Sequence, residues 1–391
     1  MKKKKIIQIT GVNFDNKGSE LMLIAILNRL NETIEDAEYA IQPTAKFKDY
    51  LKISQLGMYQ ILNTFNKNLF IIFLQNLVPK FLYKKFLNFL RLYGIILDRN
   101  VDIVLDAAGF AYSDEWSPYS CLNLKKKSKI WKKNLTKVIL LPQALGPFNS
   151  ISNYKSIKQI INNVDLVFAR DEISLNYLID VVGQNSKIKI APDFTNLIKG
   201  IKPKYFDNSR NKFCIIPNYR MIDKVNNKDN KNYLPFMIES TRYIFNKGGK
   251  PFILVHESKD DLILANEIKD KVAHDIEIIQ ETDVLKIKGI IGSASGVLSS
   301  RFHGLVSALS QSIPAMATSW SHKYSMLLKD YDFEEGLIDI NIPKKDLYKK
   351  IDLFFEEDFR NSTIKKLSLN NNHQKKKTEI MWDEVLRVIN N

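Results

Sequence analysis

Cysteine and histidine are scarce, at two and five residues in 391. Cys121 and Cys214 stand far apart and form no CxxC. That excludes a disulfide framework and a structural zinc site of the usual spacing, and it fits a reducing compartment. His256, His274 and His373 lack metal-ligand spacing, and neither HExxH nor GxSxG occurs. Metal catalysis and serine hydrolysis therefore have no support, and no metal is expected. The glycine fingerprints GxGxxG and GxxxxGK[ST] are missing as well. No apolar run reaches the roughly 18 residues of a spanning helix. The longest candidate, Leu69–Leu74, stops at Gln75-Asn76. The start, four lysines and then Ile6–Gly11, has neither the apolar core nor the cleavage site of a signal peptide. A cytoplasmic protein, not integral to a membrane, is expected.

Acidic residues are absent from two long stretches. Residues 51–97 carry six cations and residues 116–164 carry nine, which together equal the formal net charge of +15. The first stretch is also rich in aromatics and leucines, as in Phe81–Tyr93. Apolar residues interspersed with Lys84, Lys85 and Arg91 suit a helix lying in an anionic membrane interface. They suit equally a helix docked on the protein's own core. No zinc-finger, RNP or helix-turn-helix signature accompanies the basic charge, so no nucleic-acid partner is expected.

What is present is an ordinary globular composition, 45% hydrophobic and 26% charged, long enough for two or three domains. Short apolar runs alternate with helical patterns. Ile6–Thr10, Val101–Asp106, Lys137–Leu141, Leu166–Ala169 and Lys187–Ile190 read as strands, and Ser19–Leu30 and Ser174–Val181 as helices. A linker falls near Gly200–Pro203. A second series follows, with strands at Phe213–Pro217, Pro251–His256, Ile276–Ile279, Gly296–Ser299 and Ile313–Ala317. The tail is helical. This pattern implies an α/β protein with two Rossmann-type, doubly wound domains, which hold ligands outside the carboxyl ends of their strands.

The strand ends carry the candidate chemistry. Asn16-Lys17-Gly18-Ser19-Glu20 follows the first strand and opens a helix; it serves either as a cap through Asn16 or Ser19 or as a polar ligand loop. Asp106 precedes the small residues Ala107-Ala108-Gly109 and is either a reactive carboxylate or a cap. Gln143–Pro147 forms a third loop on the same rim. Arg170 ends a strand and can clamp an anion, pair with Asp171 or Glu172, or be oriented by Asp193. Arg301-Phe302-His303 precedes a small-residue helix, with Lys323 downstream. One cation and one imidazole at a helix N-terminus can hold an anionic substrate and move a proton.

Taken in order, these elements resemble the polysaccharide pyruvyl transferase family. The Asn-x-Gly-x-Glu loop, the Gln-x-Leu-Gly-Pro element, Arg-Asp-x-x-Ser, Pro192-Asp193 and Arg-Phe-His, followed by a Pro and a Lys, span about residues 6–330. Two departures stand out: Ala107-Ala108-Gly109 where the family has three glycines, and Ser19 where Asp is commoner. The resemblance implies a GT-B-like pair of domains facing a central cleft: 1–200 on the acceptor side, 201–345 on the donor side, and a tail over 346–391. It implies transfer of the pyruvyl group of phosphoenolpyruvate (PEP) to a sugar of a surface polysaccharide precursor as a ketal, with phosphate released and no cofactor. His303 becomes the expected general acid and Asp106 the base. Arg170 and Arg301 become the clamp, with Asn16, Lys17, Gly18, Gln143 and Lys323 lining the substrate. A lipid-linked acceptor would place the basic face at the inner membrane surface. Two other readings stay open: a GT-B glycosyltransferase using a nucleotide sugar, and a lectin-like module that binds anionic glycans.

Overall fold

The computed structural model describes residues 4–44, 46–63, 80–223, 230–257, 259–318 and 321–391. The apolar run Leu69–Leu74 and the pair Ser319-Trp320 lie outside them. The chain forms two compact units. Unit one comprises Met1–Phe14, Ile26–Ile190 and Trp382–Asn391; unit two comprises Asp15–Ala25 and Ala191–Met381. The expected boundary lay at residue 200, and the tail was expected to stand apart. The two compact units meet in the chain between Ile190 and Ala191, and the long last helix, Glu357–Asn390, contributes residues to both.

Unit one is built on a parallel sheet. Its strands are β1 (Lys5–Thr10), β2 (Ala37–Ile41), β3 (Tyr59–Leu62), β4 (Ile95–Leu97), β5 (Ile103–Asp106), β6 (Lys137–Gln143), β7 (Leu166–Ala169) and β8 (Ile188–Ile190). Their order is β4-β3-β2-β1-β5-β6-β7-β8. Every residue of β5 and β7 is buried, as expected of strands covered on both faces. Val104, Leu140 and Val167 on neighbouring strands share a core with Trp131 and Ile160 from helices. Helix starts are fixed locally. Ser150 Oγ accepts from Asn153 N to open Ile151–Asn163, and Asp171 caps Glu172–Val182.

Unit two carries a second parallel sheet. Its strands are β9 (Phe213–Ile216), β10 (Pro251–Val255), β11 (Ile278–Gln280), β12 (Gly296–Ser299) and β13 (Ala315–Ala317), in the order β11-β10-β9-β12-β13. Ile215, Phe252, Leu298, Leu305 and Tyr324 belong to its core.

Both sheets wind outward from a central strand, so each has one point where the order reverses. These points lie between β1 and β5 and between β9 and β12. Loops leaving the carboxyl ends of such strands diverge and open a crevice. The strand-end motifs Gly11, Asp106–Gly109 and Ser300–His303 sit at these two points.

Candidate functional site

In unit two, β12 ends in Ser299 and the chain turns at Ser300 into the helix Phe302–Leu309. A buried polar network fixes that turn. Tyr233 donates its hydroxyl to Ser300 Oγ at 2.8 Å, and Ser300 Oγ lies 2.7 Å from Thr318 Oγ1. The carbonyl of Ser300 accepts from Asn218 Nδ2 at 2.8 Å and from Tyr324 Oη at 2.9 Å. With its anchor satisfied on every side, the turn presents Arg301 and His303 in one fixed attitude.

His303 meets two other motifs there. Its Nε2 lies 3.5 Å from Asp193 Oδ2. Asp193 is held in turn, since its Oδ1 accepts from Thr195 N at 3.1 Å and from Thr195 Oγ1 at 2.6 Å. On the other side the imidazole packs on Gly18. A Cβ at that position would fall 2.1 Å from His303 Nδ1, so only glycine allows the approach. Asn16 Oδ1 accepts from Ser19 N at 3.0 Å, which caps the helix Lys17–Thr33 and sets Gly18 in its first turn. Thus Asn16–Glu20, Pro192-Asp193 and Arg301–His303 converge on one imidazole. The helix beginning at Phe302 turns its positive end toward the same place.

Arg301, Lys17 and Lys323 each have contacts within unit two. Arg301 was expected to hold an anionic substrate. Its Nη2 instead donates to both carboxylate oxygens of Asp261 at 2.6 Å, and its Nη1 pairs with Glu257. Burial lowers its pKa to about 10. This guanidinium ties the turn to the residues after β10. Lys17 Nζ pairs with Glu20 at 3.0 Å and donates to the Thr282 carbonyl at 2.7 Å. Lys323 Nζ lies 5.5 Å from the ring centroids of both Phe302 and Tyr324.

Sequence reasoning passed over two further groups. His256 follows β10 and is buried. Burial first, then the charges of Arg301, His303 and Lys17, push its pKa well below 6.5. Its strand-end position was the available signal. Lys288 is fully buried and donates to the Thr195 carbonyl at 2.8 Å. No local pattern marks it, because its helix reads as apolar.

Unit one holds the remaining predicted residues. Asp106 is 1% exposed. Its Oδ2 accepts from Tyr112 Oη at 2.9 Å, and its Oδ1 from Gln143 Nε2 at 3.2 Å and Ala108 N at 3.3 Å. Burial raises its pKa, and these hydrogen bonds oppose the rise. A carboxylate so engaged orders the loop that follows β5. Gly11 makes room for that loop, since a Cβ there would meet Ala108 N at 2.6 Å. The carbonyl of Gln143 accepts from Arg170 N at 3.0 Å. Ser174 Oγ accepts from Leu145 N at 2.9 Å, and Asp171 Oδ1 from Ser174 N at 2.7 Å. The Gln143–Pro147 and Arg170–Ser174 elements therefore lock together, and Arg170 is buried where they join.

Among the described residues no group of three or more His, Cys, Asp or Glu could hold a metal ion. None of the described helices is long and apolar enough to cross a membrane.

Two doubly wound parallel sheets with polar strand-end loops define a GT-B-like α/β protein. Residues 16–322 match the sequence model of the family "Polysaccharide pyruvyl transferase", and the chain belongs to that family of transferases. No curated protein matches it. Similar folds occur in solved structures. The UDP co-structure of Staphylococcus aureus MnaA is 14% identical with a TM-score of 0.59, covering 99% of this chain and 97% of that one. The Neisseria meningitidis UDP-GlcNAc 2-epimerase bound to UDP-GlcNAc is 11% identical with a TM-score of 0.60, covering 98% and 100%. Anabaena Alr3699/HepE with UDP and glucose is 12% identical with a TM-score of 0.57, covering 99% and 100%.

Proposed function

We propose that this protein transfers the pyruvyl group of PEP to two hydroxyls of a sugar in a surface polysaccharide precursor. The observation that carries this reading is the His303–Asp193 pair, seated on Gly18 at a helix N-terminus. PEP is an enol phosphate ester, and its methylene carbon must gain a proton before its central carbon accepts an oxygen. Asp193 Oδ2, 3.5 Å from Nε2, sets a carboxylate beside the ring. The imidazole of His303 is proposed as the donor of the methylene proton. One sugar hydroxyl adds to the central carbon. The second displaces phosphate from it and closes the ketal, and both hydroxyl protons leave to solvent or phosphate. The reaction so written consumes only PEP and the diol.

The anionic ends of PEP need positive partners. In unit two the N-terminal end of the helix Phe302–Leu309 and Lys323 serve that need. Arg170 is proposed as an anion-binding residue of unit one. Arg301 acts by holding the turn that carries His303.

A nucleotide-sugar reading draws on the UDP and UDP-sugar in the structures of similar fold. A thermal-shift titration separates the two. Saturation at 100 times Kd adds about 2.7 kcal/mol to stability. For domains of this size that raises Tm by roughly 5–10 °C. The expected result is stabilisation by PEP and none by UDP, CMP or GDP, with the PEP shift lost in Lys323→Glu. Stabilisation by a nucleotide alone would replace this reading with a glycosyltransferase.

A further inference from the structure

The helix Lys80–Leu92 in unit one is apolar on two sides. Tyr83, Leu87 and Leu90 are half-buried against the unit, and Arg91 pairs with Glu38 at 3.3 Å. The other side carries Leu82, Phe86, Phe89 and Tyr93 at spacings of four, three and four, all exposed; Phe89 is 53% exposed and Tyr93 66%. Phe89 and Tyr93 pack with tilted rings, centroids 4.9 Å apart, forming a continuous apolar ridge. Exposed Lys84 and Lys85 flank it, and no acid occurs anywhere in residues 51–97.

A basic cavity adjoins this helix. It has a volume of about 660 Å³, and Leu87 and Arg91 form part of its wall. Lys4, Lys5, Arg99 and Lys137 line it together with a single acid, Asp102. Lys5 begins β1 and Lys137 begins β6, so the cavity lies at the amino ends of the strands. Gly11, Asp106 and Gln143 are at the opposite ends. Lys5 and Lys137 donate to the carbonyls of Ile389 and Val388, bonds that leave their charge uncancelled.

An exposed apolar ridge would suit any apolar partner. A ridge flanked by lysines, beside a cavity where Lys4, Lys5, Arg99 and Lys137 outnumber Asp102, is complementary to a surface both apolar and anionic. We propose that this end of unit one docks on an anionic phospholipid bilayer. Leu82, Phe86, Phe89 and Tyr93 enter the interface, while lipid phosphates meet Lys84, Lys85 and the cavity. The amino ends of the strands then face the membrane and leave the strand-end loops of unit one on the far side. This inference does not depend on the donor being PEP.

The test is co-sedimentation of the purified full chain with vesicles of phosphatidylcholine alone or mixed with phosphatidylglycerol. Binding is expected to the mixed vesicles only, and to weaken at high salt. Lys84→Ala/Lys85→Ala should lower partitioning roughly thirtyfold. Phe86→Asp/Phe89→Asp should abolish it with an unchanged circular dichroism spectrum, because both side chains are already exposed. Failure to sediment with mixed vesicles, equal binding to both vesicle types, or full binding by the Phe86/Phe89 variant would each overturn the proposal. A concentration-dependent dimer lost in that variant, without vesicle binding, would assign the ridge to a second copy of the chain and overturn it equally.

Discussion

Gly18→Ala tests whether the imidazole of His303 is held where this structure places it. The new Cβ would lie 2.1 Å from Nδ1, whereas ordinary contacts begin near 3.4 Å, so the ring must retreat by more than an ångström. Retreat moves Nδ1 and disturbs the 3.5 Å approach of Nε2 to Asp193. A misplacement of about 1 Å at a reacting group costs roughly a hundredfold in rate. Stability should respond far less. Replacing a helical glycine by alanine favours the fold by roughly 0.5–1 kcal/mol, and overpacking opposes it by about 1–3 kcal/mol. The net change is small, and at roughly 2–4 °C per kcal/mol Tm moves by a few degrees. With five histidines in the chain, nitrogen-15 spectra of the imidazoles can be assigned by comparison with His303→Gln. The His303 signals should move in Gly18→Ala, and phosphate release from PEP with a lipid-extracted acceptor should fall about a hundredfold. Unmoved signals together with a full rate would refute the seating of His303 on Gly18 and the proton-donor role built on it.

Two further outcomes follow from the same geometry. Asp193→Asn retains an oxygen to accept from Thr195 and removes the carboxylate charge beside His303, so PEP-induced stabilisation should persist while turnover drops by about 10²–10⁴; full turnover would exclude Asp193 from the mechanism. Lys288 gives a pH signature, because burial lowers its pKa from 10.5 to about 7, with Asp193 opposing and Lys375 adding to the shift. Below about 7 the folded and unfolded chains both hold this proton, and the burial penalty stands in full. Between about 7 and 10.5 the unfolded chain holds a proton that the folded chain sheds, so stability rises with pH. Lys288→Met should therefore stabilise more at pH 6 than at pH 9, by roughly 2 kcal/mol in urea unfolding. An equal effect at both pH values would show that Lys288 keeps an ordinary ammonium.

The sequence made the doubly wound architecture legible because the central strands are continuous apolar runs. Ile103–Leu105, Leu166–Ala169 and Gly296–Ser299 are buried on both faces and announce themselves. β2, β3 and β4 escaped notice for the opposite reason. Tyr59–Leu62 and Ile95–Leu97 are short and flank a basic, aromatic segment whose own pattern is helical. Within the site, Asn16 capping its helix was readable from local spacing. The meeting of Gly18, Asp193 and His303 was not, since it joins residues nearly three hundred positions apart. A glycine in a helical first turn says only that something comes close; tertiary packing decides what.

Arg301 shows the limit of a motif most clearly. An arginine two residues before a histidine at a helix start invites an anion-clamp reading. Its partners in the structure, Asp261 and Glu257, lie about forty residues away and belong to no motif. Removing one member of a buried pair leaves the other charge uncompensated, at a cost of about 3–5 kcal/mol. Arg301→Ala would therefore lose activity under either role. A substitution that separates them keeps the guanidinium and neutralises a partner. Asp261→Asn preserves the shape of the pair and frees charge on Arg301. If Arg301 positions the turn, this variant should weaken turnover and leave PEP affinity unchanged; a clamp relieved of its competitor should bind PEP more tightly, and that result would restore the clamp.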